Sequence, residues 1–156
     1  MKIYQNLKIN KKHQDSVVAI GNFDGVHLGH QKVINHAQKK AKKNKLPFGI
    51  ITFEPMPVMF FNKKIKNHRI NSLTQKKNLL RKLRLDFLII VNFNKKFSKL
   101  LPKEFIEKIV FKKAKCKFVY VSNNFKFGYK RQGNTKTLKK YSNIYNYKTV
   151  ITNPFK

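Results

Sequence analysis

The sequence predicts an α/β fold, a parallel sheet with helices on both faces. Short apolar runs alternate with stretches whose apolar residues recur at helical spacing, as in strand–helix–strand units. One run, Asp86-Phe87-Leu88-Ile89-Ile90-Val91, is apolar throughout after its first residue, the look of a strand covered on both faces. A third observation places the chemistry. The apolar run Val17-Val18-Ala19-Ile20 leads straight into Gly21-Asn22-Phe23-Asp24-Gly25-Val26-His27-Leu28-Gly29-His30, and a Lys-rich helical pattern leads out.

Taken in order, residues 1–15 are polar and leave room for a short edge strand. The first buried strand is expected over 16–21. A helix follows over 28–43, with Val33, Ile34, Ala37 and Ala41 as its inner stripe. Pro47 opens a strand that runs to Phe53. Glu54-Pro55-Met56-Pro57 then reads as a rigid, extended turn, because proline fixes its own φ and biases its predecessor. Phe53, Met59, Phe60 and Phe61 gather around that turn, either as a loop over the core or as a wall for a planar ring. Ser72 and Gln75 have capping-box spacing for a helix to about Arg84, with Leu79, Leu80 and Leu83 inward. The third strand is expected over 86–91. Pro102 suits a helix start and Glu104 complements its dipole; Phe105, Ile106, Ile109 and Val110 form the inner stripe. A fourth strand is expected over 117–121, a weak helix over 135–146 and a fifth strand over 147–151.

The Gly21–His30 junction is a strand, a tight turn and a helix start. The first amides of a helix lack partners and carry partial positive charge, so a phosphate can sit there. Gly21 and Gly25 would let backbone approach a ligand closely. His27 and His30 are three residues apart and share a helical face. Together these residue types suit stabilisation of charge on a transferring phosphoryl group. His13, His36 and His68 lack that context and are expected at the surface, and Cys116 is expected in the core.

Composition bounds the rest. The chain has 156 residues, one domain by length. Hydrophobic residues make up 41% of it, enough to build a core. No segment reaches the ~18 apolar residues of a membrane span. The first residues, Met1-Lys2-Ile3-Tyr4-Gln5-Asn6, contain no apolar signal core, so a cytoplasmic location is expected. A single cysteine excludes an internal disulfide and a cysteine zinc cluster. The net charge of +30 has two readings, an anionic partner or a coding bias toward Lys. Arginine is scarce (Arg69, Arg81, Arg84, Arg131), whereas sequence-specific nucleic-acid readers lean on Arg forks. No nucleic-acid or membrane partner is therefore expected, although the charge would attract small anions.

Phe-Asp-Gly-x-His-x-Gly-His, at residues 23–30, resembles the N-terminal signature of bacterial FAD synthetase, the FMN adenylyltransferase half of bifunctional riboflavin kinase/FAD synthetases. Further matches follow in order. Thr52-Phe53-Glu54-Pro55-Met56-Pro57 is similar to the family's Thr-Phe-x-Pro-x-Pro, with Met56 where the family commonly has His. Arg69 to Lys76 resembles its Arg-(Leu/Ile)-x-x-x-x-x-Lys segment, and the spacing of Phe93, Phe97, Pro102 and Phe105 matches as well. Asn124, Phe125, Phe127, Gly128, Arg131, Gly133 and Asn134 match Gly-x-(Asp/Asn)-(Phe/Tyr)-x-Phe-Gly and its basic continuation, with Ser122 in place of the glycine.

The resemblance implies a Rossmann-like nucleotidylyltransferase fold that makes FAD and pyrophosphate from ATP and FMN with Mg²⁺. It implies that His27, His30 and Asn124 are catalytic and that Gly21, Asn22, Phe23, Asp24 and Gly25 shape the ATP pocket with the two histidines. Pro55, Pro57, Phe125, Phe127 and Arg131 would lie at the flavin, and Asn124 at the metal. The family's Ser-Ser-x-x-Ile-Arg phosphate motif is absent, as is the riboflavin kinase barrel. The chain is therefore expected to be a C-terminally incomplete domain, as a fragment, a broken gene or one part of a shared site. It would bind ATP or FMN weakly and make FAD slowly, with riboflavin kinase activity supplied elsewhere. Two alternatives stay open: a His-x-Gly-His nucleotidylyltransferase with another nucleotide or acceptor, and an inactive remnant or non-catalytic basic nucleotide- or nucleic-acid-binding protein.

Overall fold

The computed structural model describes residues 1–23, 28–62 and 73–153. Six strands form one sheet: β1 (Lys2–Tyr4), β2 (Ser16–Ile20), β3 (Phe48–Glu54), β4 (Phe87–Asn92), β5 (Cys116–Ser122) and β6 (Lys148–Thr152). The spatial order is β1-β4-β3-β2-β5-β6, and every pairing is parallel. The four expected central strands are all present within a residue or two, and the fifth, β6, closes one edge. The N-terminal strand β1 closes the other edge beside β4.

Side-chain alternation along β2 makes both cores. Val17 and Ala19 point to the face covered by α1 (Leu28–Asn44) and α3 (Leu73–Arg81), whereas Val18 and Ile20 point to the opposite face. That opposite face is covered by the helix that starts at Pro102 and by α6 (Thr135–Lys140). On β5 the alternation is broken once. Ser16 pairs with Cys116 but Val17 pairs with Phe118, so Lys117 is a bulge. The extra residue sends Cys116 to the same face as Val119 and Val121. Burial pushes its thiol up to about 12, so Cys116 stays protonated and packs as a small apolar side chain.

The helices match their stripes. Val33, Ile34, Ala37 and Ala41 of α1 are buried, and so is Leu80 of α3, with Leu79 and Leu83 packed against that core. Helix α3 stops at Arg81, earlier than expected, and Arg84 takes a left-handed φ of 56°. Met56 is buried, α2 (Pro57–Phe61) follows it, and the extended turn is therefore shorter than expected. Another short helix, α4 (Lys95–Ser98), is capped by Asn94, whose side-chain oxygen accepts from the Phe97 N–H. The helix α5 begins at Pro102, and Glu104 Oε1 accepts from the Leu101 N–H at 3.1 Å. It is α-helical to Phe105 and wound as a π-helix over Ile106–Lys113, while Phe105, Ile106, Ile109 and Val110 remain buried. Helix α6 is shorter than the expected 135–146 and gives way to turns after Lys140.

His13 corrects one expectation. It is 7% exposed, stacks on Phe87 at 4.9 Å between ring centroids, and its Nδ1 lies 2.7 Å from the Tyr4 hydroxyl. It is a core residue holding β1 to the sheet. His36 is exposed as expected and approaches the Thr152 hydroxyl at 3.3 Å; His68 lies outside the described residues. Among the described residues, no helix is long and apolar enough to cross a membrane.

Candidate functional site

The chain leaves β2 toward β3 on one side and later places β5 on the other, so the strand order reverses at β2. Such a reversal opens a crevice beyond the carboxyl ends of the strands, where open α/β sheets bind ligands. A cavity of about 480 Å³ lies there. Its lining comes from the exits of β2, β3, β4 and β5, from α1 and from α5.

The β2 exit supplies Ile20, Gly21, Asn22 and Phe23. The Gly21 N–H still bonds the sheet, donating to the Ile51 carbonyl at 3.1 Å. Phe23 turns the chain with a left-handed φ of 51° and folds its ring back over Gly21, where a Cβ would lie 3.1 Å from that ring. The Phe23 ring is buried there and meets His30 edge-on, with centroids 5.3 Å apart and 80° between planes. Edge-to-face contact is a favoured arrangement for such rings. His30 thus reaches the cavity from the first turn of α1. Asp24, Gly25 and His27 lie outside the described residues.

The second wall is aromatic. Phe53 is the penultimate residue of β3, Pro57 and Phe61 come from α2, Phe93 and Phe97 follow β4, and Phe105 comes from α5. The rings touch in series: Phe53–Phe97 at 6.0 Å, Phe93–Phe97 at 5.5 Å and Phe61–Phe93 at 5.9 Å between centroids. Phe61 remains 66% exposed at the rim, a large apolar surface without full cover. Pro57 lines the cavity, whereas Pro55 sits two residues before it and is not among the lining residues. Sequence reasoning gave the rings after β4 no role, although the spacing of Phe93, Phe97 and Phe105 was visible.

The third wall is the loop after β5. Ser122 and Asn124 line the cavity, and the Ser122 hydroxyl donates to Asn124 Oδ1 at 2.6 Å. That bond turns the amide so that its NH₂ end is the part left to donate. Phe125 and Phe127 stack at 5.4 Å with their planes 17° apart. Phe127 and Gly133 exchange two backbone bonds, which closes the loop into a narrow ribbon. Gly128 has a φ of 78°, and a Cβ there would sit 2.9 Å from Pro102. Only glycine fits both demands. The Tyr129 N–H donates to the Leu100 carbonyl at 2.7 Å and ties the ribbon to the segment before α5. Lys126, Lys130 and Arg131 complete this side.

The structure therefore brings Gly21, Asn22, Phe23, His30, Pro57, Asn124, Phe125, Phe127 and Arg131 around one cavity. The described lining holds Lys126, Lys130, Arg131 and His30 and no carboxylate, on a chain of net charge +30. The cavity joins polar and cationic groups to a larger wall of rings. Such a site suits a ligand with a planar ring at one end and an anion at the other. No group of three or more His, Cys, Asp or Glu side chains poised for a metal occurs among the described residues.

Residues 9–156 match the FAD synthetase family. The chain is 37% identical over 151 residues to a bifunctional riboflavin kinase/FMN adenylyltransferase of Buchnera aphidicola subsp. Schizaphis graminum, covering 96% of this chain and 48% of that protein. It is 32% identical to the protein of that description from Escherichia coli strain K12, covering 89% of this chain and 44% of that one. A solved structure described as a macrolide-efflux protein from Streptococcus pneumoniae superposes with a TM-score of 0.82 at 25% identity, over 97% of this chain and 49% of that one. The chain spans about half the length of the curated relatives it matches.

Proposed function

The chain belongs to the FAD synthetase family, and we propose that it transfers the adenylyl group of ATP to FMN, giving FAD and pyrophosphate. The observation that carries this reading is the joining of the glycine-turned β2 exit, the cationic loop after β5 and an aromatic wall in one cavity. A phosphate oxygen of FMN attacks the α-phosphorus of ATP. A new P–O bond forms as the bond from the α-phosphorus to the bridging oxygen breaks, and pyrophosphate leaves with that electron pair. Little covalent work falls to the protein; holding the two phosphates in line and stabilising the charge do most of it.

In this reading His30, with His27, donates to the triphosphate as charge builds on the leaving pyrophosphate. Gly21, Asn22 and Phe23, continuing into Asp24 and Gly25, shape the ATP side. The Asn124 amide donates to phosphate, and the second lone pair of its Oδ1 can serve the Mg²⁺ that travels with ATP. That ion would neutralise phosphate charge and keep most of its ligands as water and phosphate, which fits the absence of a carboxylate among the described lining residues. The flavin ring lies along Phe53, Phe93, Phe97 and Phe61, with Pro55 and Pro57 at its edge and Phe125, Phe127 and Arg131 opposite. The FMN would come from a riboflavin kinase, the other activity in the relatives' names. The matched span is proposed to act as one domain.

The test is FMN binding followed by flavin fluorescence. Phe61→Ala removes an exposed ring, so the melting temperature should stay at the native value. The FMN dissociation constant should rise by about tenfold, the worth of roughly 1.4 kcal/mol of lost ring contact. An unchanged FMN affinity would remove the flavin from this wall.

A further inference from the structure

A buried cation ties the β2 exit to α3. Lys76 is 3% exposed, yet it ends in a charge. Its ammonium donates to Thr52 Oγ1 at 2.8 Å and lies 3.7 Å from Glu54 Oε1. Thr52, fully buried toward the end of β3, donates its own proton to the main-chain carbonyl of Asn22 at 3.1 Å. An ammonium can only donate. With Nζ occupying the threonine oxygen as acceptor, the single hydroxyl proton is directed to Asn22, and the relay runs one way. A lysine buried for packing alone would be better replaced by an apolar side chain of its size, because burying charge is costly even when paired.

The relay fixes a peptide plane. The Asn22–Phe23 peptide is trans and planar, so its carbonyl and the following N–H point in opposite directions. The carbonyl is drawn to Thr52 on β3, so the Phe23 N–H faces away from β3. On that other side of β2 lies β5, whose exit residues Ser122 and Asn124 line the same cavity as Asn22 and Phe23. Phe23 itself has a left-handed φ of 51°. That conformation is rare for a bulky residue and persists only where surrounding structure holds it.

We infer that Lys76 is a positioning residue. Through Thr52 it locks the Asn22–Phe23 peptide with the Phe23 N–H presented to a phosphate of the bound nucleotide. The inference rests on the nucleotide reading of this cavity and assigns a role to residues that do not touch the substrate.

The test uses the full chain labelled with ¹⁵N. Magnesium ATP and inorganic pyrophosphate are titrated while the Phe23 amide resonance and, separately, FMN fluorescence are followed. The Phe23 resonance should shift on saturation with either anion. Thr52→Val, which keeps shape and loses the hydroxyl, should weaken ATP by about tenfold, the usual worth of a hydrogen bond to a charged group. FMN affinity should hold, the melting temperature should drop modestly because the buried Lys76 ammonium and Asn22 carbonyl both lose a partner, and Thr52→Ser should recover most of both losses. Lys76→Met should resemble Thr52→Val, and combining the two should add little, because both break one relay. If Lys76→Met does not fold, the Thr52 pair still decides. Native ATP affinity in Thr52→Val would overturn the inference, and so would ATP and FMN affinities that fall together with the melting temperature. FAD formation by the native chain is measured alongside. Its absence, with a Phe23 shift that still depends on Thr52, would sink adenylyl transfer and leave the relay. FAD formation by a chain whose Phe23 amide ignores both anions would do the reverse.

Discussion

Asn124 is held by its own neighbour. The Ser122 hydroxyl fills one acceptor site on Oδ1, so the amide is preset before any ligand arrives. Ser122→Gly should release it and weaken pyrophosphate or ATP by roughly fivefold, the effect of about 1 kcal/mol of preorganisation, with stability unchanged. Calorimetric titration checks this, and native affinity would show that the serine only fills space. His13 poses a different problem at the same scale. Burial and Lys12 push its pKa below the ordinary imidazole value, against an opposing pull from Asp86. The folded state therefore resists the proton that the unfolded chain accepts at about pH 6.5. Stability should be full above that pH, fall as pH drops through it, and level off below the folded pKa. His13→Gln should remove this slope from urea unfolding followed from neutral to mildly acidic pH; an equal slope in the variant would place the titration elsewhere. Nothing near His13 in sequence announces its burial, because Tyr4 and Phe87 come from two other segments.

Among the elements, the strands were legible because doubly covered strands are apolar at every position. Their faces were less so, since the Lys117 bulge that turns Cys116 is a matter of pairing rather than composition. The π-wound stretch over Ile106–Lys113 was hidden for a related reason. Phe105, Ile106, Ile109 and Val110 satisfy an α-helical stripe equally well. The packing of β3 on β4 is tight at one point that periodicity cannot reveal. A Cβ on Gly49 would come within 2.2 Å of the Phe87 ring, which is fully buried. Gly49→Ala should therefore cost about 1–3 kcal/mol by overpacking, measured by urea unfolding at neutral pH. A variant as stable as the native chain would mean that Phe87 moves aside freely.

For the whole molecule, the reversal of strand order at β2 converts separate motif loops into one site. Gly21 to Phe23, Pro57 and Asn124 to Arg131 are distant in sequence and share a cavity because their strands are parallel and end on one rim. That convergence was legible once the strands were known. The aromatic wall after β4 was not, because rings read equally well as core until a cavity is seen beside them. Charge acts at this scale too. With 36 basic against 6 acidic residues, the chain repels itself and attracts anions over a distance that salt shortens. ATP affinity should fall as sodium chloride rises from low to physiological levels, while FMN binding, which leans on the rings, should fall less. An ATP affinity independent of salt would separate the net charge from the site.

The central claim is that this cavity joins ATP to FMN, and FAD formation tests it most directly. The chain is incubated with ATP, FMN and Mg²⁺, and FAD and pyrophosphate are followed by chromatography for the native sequence and for His30→Ala. FAD and pyrophosphate should appear one for one. The rate should fall by about 10²–10³ in His30→Ala, the usual effect of losing one preorganised charge-stabilising donor, while FMN affinity is retained. FAD at the level of the protein-free blank although both substrates bind, or a native rate in His30→Ala, would contradict the account.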